Sequence, residues 1–414
     1  MMRFFDVTKF VPFFERKRHV FVVHLLRDGL RMHRCIVSKS RGSVDCSPLS
    51  PITRHIGDLR IAFEEIKKST RWLSRFRKRR FIFMLDPGFA TSISGVVQIP
   101  RSRPKDPIQE SDIEHSIAQS MWKLFTRERV HAASKMGLPE LDLELGDVRV
   151  EEIRLDGHRV VDPSGFSARM VSVKLLITFL ADALLKAYAR VFTKEAKPLF
   201  GEGGILVLRA LPLEHDKDAY VFVQIFKTVS DVFMVHGGVT TYVDTVPWGV
   251  RDLSRAVSRA FSVSESIADI IIARMLSGET SSHFLHYAER ILDGAYNDFA
   301  RGLGKTVERH GISTAYIMPF AGFRGREGRE VLPENIFKER FKTRGGARIH
   351  FKPIAYEGKG ASQVGPWDFS AKAAIHHFFF SGGDDTLNKI ARRRARWLQE
   401  VRGGESEVAV NSEN

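Results

Sequence analysis

Apolar positions along this chain fall in short blocks whose period switches between two and about 3.6, and that alternation predicts a mixed α/β protein. HVFVVHLLRDGLRMHRCIV (His19 to Val37) reads as two strands with a tight turn at Asp28-Gly29, followed by a polar loop from Ser38 to Pro51. Leu59, Phe63, Ile66 and Leu73 give a helical period to the stretch Ile56 to Arg80, which closes on a basic cluster. FIFMLD and SISGVVQI then predict strands, Ile108 to Met136 a long helix, and VRVEEIRLDG and ARMVSVKLLITFL two more strands. The loop HRVVDPSGFS between the last pair carries turn chemistry at Asp162-Pro163 and Gly165.

From Asp182 a helix leads to an apolar run at Ile205 to Leu208, predicted as a strand, with GEGG (Gly201 to Gly204) before it read as a turn. VFVQIFKTVSDVFMVHGG (Val221 to Gly238) sets two apolar strand runs around a short polar break and ends in a Gly-Gly turn. Two helices follow, the second with Ser262 or Ser264 as N-cap, then a long helix from about Ser282 to His310 and the strand TAYIMPF. A strand near Ala347 to Pro353, a helix at DFSAKAAIHHFFFSGG and a basic helix from Asp385 to Val401 complete the ordered part, and the polar tail after it is expected to be disordered.

Composition narrows the class only modestly. Hydrophobic residues make up 43% and charged residues 27%, ordinary for a folded chain. The 64 Lys and Arg against 49 Asp and Glu leave a net charge of +15, which suits an acidic partner such as anionic lipid, nucleic acid or an acidic protein segment. The basic run ending at Arg80 belongs to no recognisable nucleic-acid-binding motif, so no specific nucleic-acid partner is expected. Cys35 and Cys46 are too few for a disulfide framework and stand outside metal-ligand spacing, so both are expected as reduced thiols. No apolar run reaches the roughly 20 residues that span a bilayer, and the Phe-rich start lacks a signal-peptide core.

Two stretches resemble one family. EEIRLDGHRVVDPSGFSARMVSVKLLITF, preceded by FIFMLDPGFATSISGVVQI, is similar to the inserted subdomain of the bacterial division protein FtsA, and VDTVPWGVRDLSRAVSRAFSVSESIADIII to the run after that family's second phosphate hairpin. The order of elements resembles the actin-like ATPase superfamily in its FtsA branch, with the pilus-assembly protein PilM as a cousin. The resemblance implies a two-lobed actin-like, ribonuclease H-like α/β fold with a small inserted α+β subdomain. On that basis a leader occupies residues 1–18, the first lobe 19–78, the insert 79–179, the second lobe 180–382, a basic amphipathic helix 383–402 and a tail 403–414.

Members of that superfamily hold Mg-ATP between the lobes on glycine-rich turns and acidic residues, because a Cβ would collide with phosphate oxygens that backbone N–H groups must approach. In this chain VVHLLRDG places His24 and Leu26 at the first motif's Asp and Gly. VQIFKTVSD places Gln224, Phe226 and Lys227 at the second, with Asp231 retained, and YIMPFAG sets Pro319 and Phe320 at the adenosine turn. No catalytic residue, metal or cofactor is therefore expected, although ATP and Mg²⁺ are what the family binds. Electrostatic phosphate binding by Lys227 and Arg27 is the rival expectation, and an active ATPase with misaligned motifs is another.

The last helix is two-sided. Leu387, Ile390, Trp397, Leu398 and Val401 share an arc, with basic residues opposite, Arg393 among them, and Arg394 on the apolar side. That pattern fits an in-plane anchor on an anionic membrane, and FtsA proteins resemble it in ending on such a helix. The alternative is docking of the same face on the chain's own body. The resemblance thus implies a non-catalytic adaptor, cytoplasmic and peripheral on the inner membrane face, with FtsZ, other divisome proteins or copies of itself as partners. A PilM-like adaptor of pilus or secretion assembly is the alternative.

Overall fold

The computed structural model describes residues 18–395 apart from 27–28, 39–42, 50–57, 72–79, 193–197, 212–218, 237–238, 311, 313, 325–329, 332–349, 354–364 and 381–385. The leader, the Gly-Gly turn at 237–238, the glycine loop at 325–328, Asp384, Asp385 and the tail lie outside the described residues.

The chain opens with three antiparallel strands, β1 (Arg18–Leu26), β2 (Gly29–Ser38) and β3 (Ser43–Pro48), then α1 (Leu59–Thr70) and β4 (Phe81–Leu85). The region that follows contains β5 (Ala90–Pro100), α2 (Glu110–Met136), β6 (Leu143–Leu155), β7 (His158–Val160) and β8 (Met170–Ala181). Next come α3 (Asp182–Val191), β9 (Leu199–Glu202) and α4 (Gly203–Ala210). A second antiparallel triplet follows, β10 (Tyr220–Ile225), β11 (Ser230–His236) and β12 (Val239–Val246), with helices α5 (Val250–Phe261), α6 (Glu265–Leu276) and α7 (Ser282–His310). Strand β13 (Thr314–Pro319), the short pair β14 (Phe323–Arg324) and β15 (Glu330–Val331), β16 (His350–Pro353), α8 (Pro366–Phe379) and a helix α9 over residues 386–395 complete it.

The topology is a duplication. One sheet runs β3-β2-β1-β4-β9, and within the other the run β12-β11-β10-β13-β16 repeats the same order and the same antiparallel-then-parallel pairing. Each half is thus a hairpin and third strand followed by parallel strands after helical crossovers, which is the two-lobed actin-like fold. The inserted strands β5-β8-β6-β7 extend the second sheet through one pairing, Thr241 opposite Ile93.

Three apolar clusters correspond to this layering. Val20 and Val22 of β1, Ile205 and Val207 of α4, Phe222 and Phe233 of the second sheet, and Ala374 and Ile375 of α8 form the cluster between the lobes. The outer face of the second sheet packs on α5, α6 and α7, through Val223, Leu253, Ile272 and Phe299 among others. The outer face of the first sheet shares its core with α1, α3 and the insert. Among the described residues no helix is long and apolar enough to cross a membrane.

Four expectations change. The segment Ile205 to Leu208 is helical, and GEGG is a strand-to-helix junction rather than a turn before a strand. A run buried on all sides carries no period, so a short apolar block is equally compatible with either element. Strand β4 belongs to the first sheet, so the insert begins after it, and β9 pairs with β4, which returns residues 182–210 to the first lobe. The loop from Ser38 contains β3, a polar edge strand that pairs with β2 and ends at Pro48, opposite His33. Finally, Cys35 and Cys46 sit opposite each other across β2 and β3 and are joined as a disulfide.

Candidate functional site

The three altered motifs converge. His24 lies near the end of β1, Phe226 just after β10 and Phe320 just after β13, at the ends of strands where the two lobes face each other. Trp367, in the first turn of α8 behind Gly365 and Pro366, stands among them. Its ring centroid is 4.8 Å from that of Phe320, 5.4 Å from His24 and 6.3 Å from Phe226, and Phe226 stacks on Phe320 at 5.3 Å. The Arg31 guanidinium covers the Trp367 ring at 4.3 Å. Each ring pair at these separations contributes about 0.5–1.5 kcal/mol beyond its buried area, so the cluster ties the lobes together.

The first lobe brings a second imidazole. His33 packs edge-on to His24 at 5.5 Å, and its Nε2 lies 3.2 Å from the Asp368 carboxylate of α8. Burial first, then the charges of His33 and Arg31, hold His24 well below its ordinary pKa, so it is a neutral ring inside the cluster. Leu26 is buried at the end of the same strand.

The turn after β10 is closed on itself. Phe226 N–H donates to the Val229 carbonyl, and the first N–H groups of α5, on Val250 and Arg251, donate to the carbonyls of Phe226 and Lys227. The first N–H groups of the helix are therefore satisfied by that turn, against which it packs. Gly249 makes this possible, because a Cβ there would stand 2.6 Å from the backbone of Lys227 and Thr228. Lys227 itself is exposed, Gln224 is buried opposite Asp231, and Asp231 accepts from the Thr245 hydroxyl at 2.6 Å. Pro319 is buried in register with Ile225.

At the strand-to-helix junction of GEGG sits Glu202, with no exposed surface. Its Oε2 accepts from Ser92 N–H at 2.6 Å. Burial is the main cause of a pKa raised to about 8, and the nearby carboxylates Asp231 and Asp86 push the same way against Lys135. Gly204 in that junction lies under Phe233, where a Cβ would fall 1.9 Å from the ring. This glycine serves helix-to-sheet packing rather than a phosphate. Sequence reasoning missed both Trp367 and Glu202; the Gly-Pro-Trp start of a helix was the available signal for the first, and an acidic residue inside GEGG for the second.

The residues present do not suit the Mg-ATP that the resemblance implies: four rings pack together where the lobes meet, and His24 and Gln224 offer no carboxylate to a metal. Among the described residues no group of three or more His, Cys, Asp or Glu is placed to hold a metal ion.

The last helix is docked. Leu387, Ile390, Ala391 and Ala395 of α9 are buried in the core shared with the insert. Asn388 Oδ1 accepts from Val150 N–H at 2.9 Å, Arg392 pairs with Asp147 at 3.1 Å, and both Arg393 and Arg394 reach Glu114 of α2. This corrects the anchor expectation for Leu387, Ile390, Arg393 and Arg394: the apolar face meets β6 and α2, and two of the basic residues meet a carboxylate. Trp397, Leu398 and Val401 lie outside the described residues.

Neither family models nor curated proteins give a match to this chain. Solved structures similar to it include a PilM-PilN type IV pilus biogenesis complex, at 12% identity over 93% of this chain and 99% of that one, TM-score 0.45. Others are MreB5 of Spiroplasma citri bound to ADP, at 8% identity over 90% and 98%, TM-score 0.39, and a Bacteroides thetaiotaomicron protein with actin-like ATPase fold, at 8% over 84% and 93%, TM-score 0.37.

Proposed function

We propose that the chain is a non-catalytic adaptor built on the actin-like fold, one that presents partner-binding surfaces without turning over nucleotide. The observation that supports this reading is the ring cluster of His24, Phe226, Phe320 and Trp367, which occupies the interlobe space and replaces a ligand as the element holding the lobes together. In a nucleotide-dependent relative the same two lobes would be bridged by Mg-ATP; here side chains of the chain itself form the bridge.

The docked α9 favours the cytoplasmic adaptor of a pilus or secretion assembly over the FtsA-type tether of FtsZ at the membrane, because a membrane tether needs the face that Leu387 and Ile390 bury. The reading is tested by phosphate release from MgATP, measured for the natural chain and for Phe226→Gly. Both are expected to stay at the blank rate, since Gln224 and His24 still stand where the family has carboxylates. Turnover by the single variant would show a merely blocked ATPase, and turnover by the natural chain would refute the adaptor. Sedimentation with anionic liposomes separates the two adaptor types: no co-sedimentation is expected, and binding lost on truncation before Thr386 would favour the membrane tether.

A further inference from the structure

A cavity lies at the opposite end of β10 from Phe226. Tyr220 and Phe226 bracket the strand, so the two sites are roughly 20 Å apart at about 3.3 Å per residue. The cavity has a volume of about 420 Å³ and is walled by β6, β7 and β8 of the insert, by α4 and by α8. Four cationic side chains line it, Arg149, Arg159, Lys174 and Arg209, against two carboxylates, Glu151 and Glu152.

Those carboxylates are already engaged. Glu151 takes Arg209, Lys174 at 3.7 Å and the Ser94 hydroxyl at 2.9 Å, while Glu152 is paired at 2.5 Å with Arg154, which is not part of the lining. Arg149 donates to the His377 carbonyl and also feels the Asp147 carboxylate. Arg159 is exposed at the rim and forms no ion pair among the described residues, and the buried Nε of Arg209 has no acceptor. The wall thus holds positive charge in excess of its counter-ions and a guanidinium donor without a partner. The buried neighbours register the same field: burial first, then Arg149, lowers Arg209 to about 10, and burial followed by Arg149, Arg209 and Arg392 holds His377 well below its ordinary value.

We propose that this cavity binds a small polyvalent anion of phosphate type, with Arg159 and Arg209 as its principal ligands. Guanidinium forks match the oxygens of phosphate, and partial burial strengthens such bonds relative to water. The volume suits a phosphorylated metabolite or a mononucleotide rather than an extended peptide. Because α4 and α8 also carry the packing between the lobes, a ligand here touches the insert and both lobes at once.

The test is a thermal-shift titration of the full chain with sodium pyrophosphate, with citrate as a carboxylate arm, at physiological chloride. A saturable rise in Tm with pyrophosphate is expected, since a ligand of the native state raises apparent stability. Arg159→Ser, a substitution at an exposed position, is expected to weaken the apparent affinity at least tenfold, and Arg209→Met to abolish binding. Lys227→Ser, on the turn after β10, is expected to leave it unchanged. The proposal is overturned by any of three outcomes: no saturable shift in the natural chain, an unchanged affinity in a folded Arg159→Ser chain, or a loss of binding in Lys227→Ser. Binding of citrate in preference to pyrophosphate would overturn the phosphate assignment.

Discussion

Replacing Glu202 by glutamine is expected to convert a pH-sensitive core into a pH-insensitive one. The Glu202 carboxyl has an ordinary value of 4.5 and is raised to about 8 in the fold, chiefly by burial, with Asp231 and Asp86 adding to the shift and Lys135 opposing it. Below pH 4.5 it is protonated in both folded and unfolded chains and contributes no pH dependence. Between 4.5 and 8 the unfolded chain releases a proton that the folded chain retains, so stability falls with rising pH at up to 1.36 kcal/mol per pH unit. Above 8 both states are ionised and the loss levels off, at roughly 5 kcal/mol as an upper bound. Glutamine keeps an oxygen for the Ser92 N–H and never ionises. In urea unfolding at pH 5, 7 and 9 the variant should start within about 1 kcal/mol of the natural chain and become the more stable of the two, by several kcal/mol at pH 9. Carboxylates remote from Glu202 cancel in the difference, whereas Asp86 and Asp231 feel its charge and share in the change. A difference that stays constant from pH 5 to pH 9 would refute the claim that Glu202 is protonated inside the fold.

Further outcomes follow from the same packing. Ile390→Ala should cost about 2–4 kcal/mol in denaturant unfolding, because the side chain is buried in the core under α9, and truncation before Thr386 should lower Tm. An Ile390→Ala chain as stable as the parent would mean that α9 is not docked in solution. Reducing the Cys35–Cys46 disulfide, whose partners are 11 residues apart, should cost about 3 kcal/mol on the loop-entropy estimate, read as a Tm drop under reductant. An unchanged Tm would show the thiols to be free. Phe226→Ala should destabilise by about 3–5 kcal/mol if its ring joins the lobes, and a change near zero in thermal melting would remove it from the cluster.

How far the fold was legible depends on where each period came from. The β1–β2 and β10–β11 hairpins show an apolar run on each side of a polar break, and α2 and α7 are long enough for a helical period to be unmistakable. Strand β9 and helix α4 were not legible, since a fully buried segment has no polar face to set a period, and β3 was hidden by the polar residues of an edge. The site was half visible. His24, Phe226 and Phe320 could each be marked because a turn that should hold small or acidic residues held rings. Trp367 could not, because it arrives from a helix more than 40 residues after Phe320 and only the crossover of α8 onto the first lobe brings it there. For α9 a sequence pattern reports that a face will be buried and not what buries it; Asn388, Arg392 and Glu114 supply the answer through contacts distant in sequence.

Rings of the chain itself are proposed to take the place of nucleotide between the lobes. The most direct test of this is isothermal titration of MgATP into a chain carrying Arg159→Ser and Arg209→Met, which removes the cationic cavity as a second source of heat and leaves the interlobe cluster intact. No saturable heat is expected up to millimolar nucleotide, and no rise in Tm should accompany it. Saturable binding with micromolar affinity, with a matching rise in Tm, would contradict the account, because the cluster of His24, Phe226, Phe320 and Trp367 would then have to open and admit the ligand it is held to exclude.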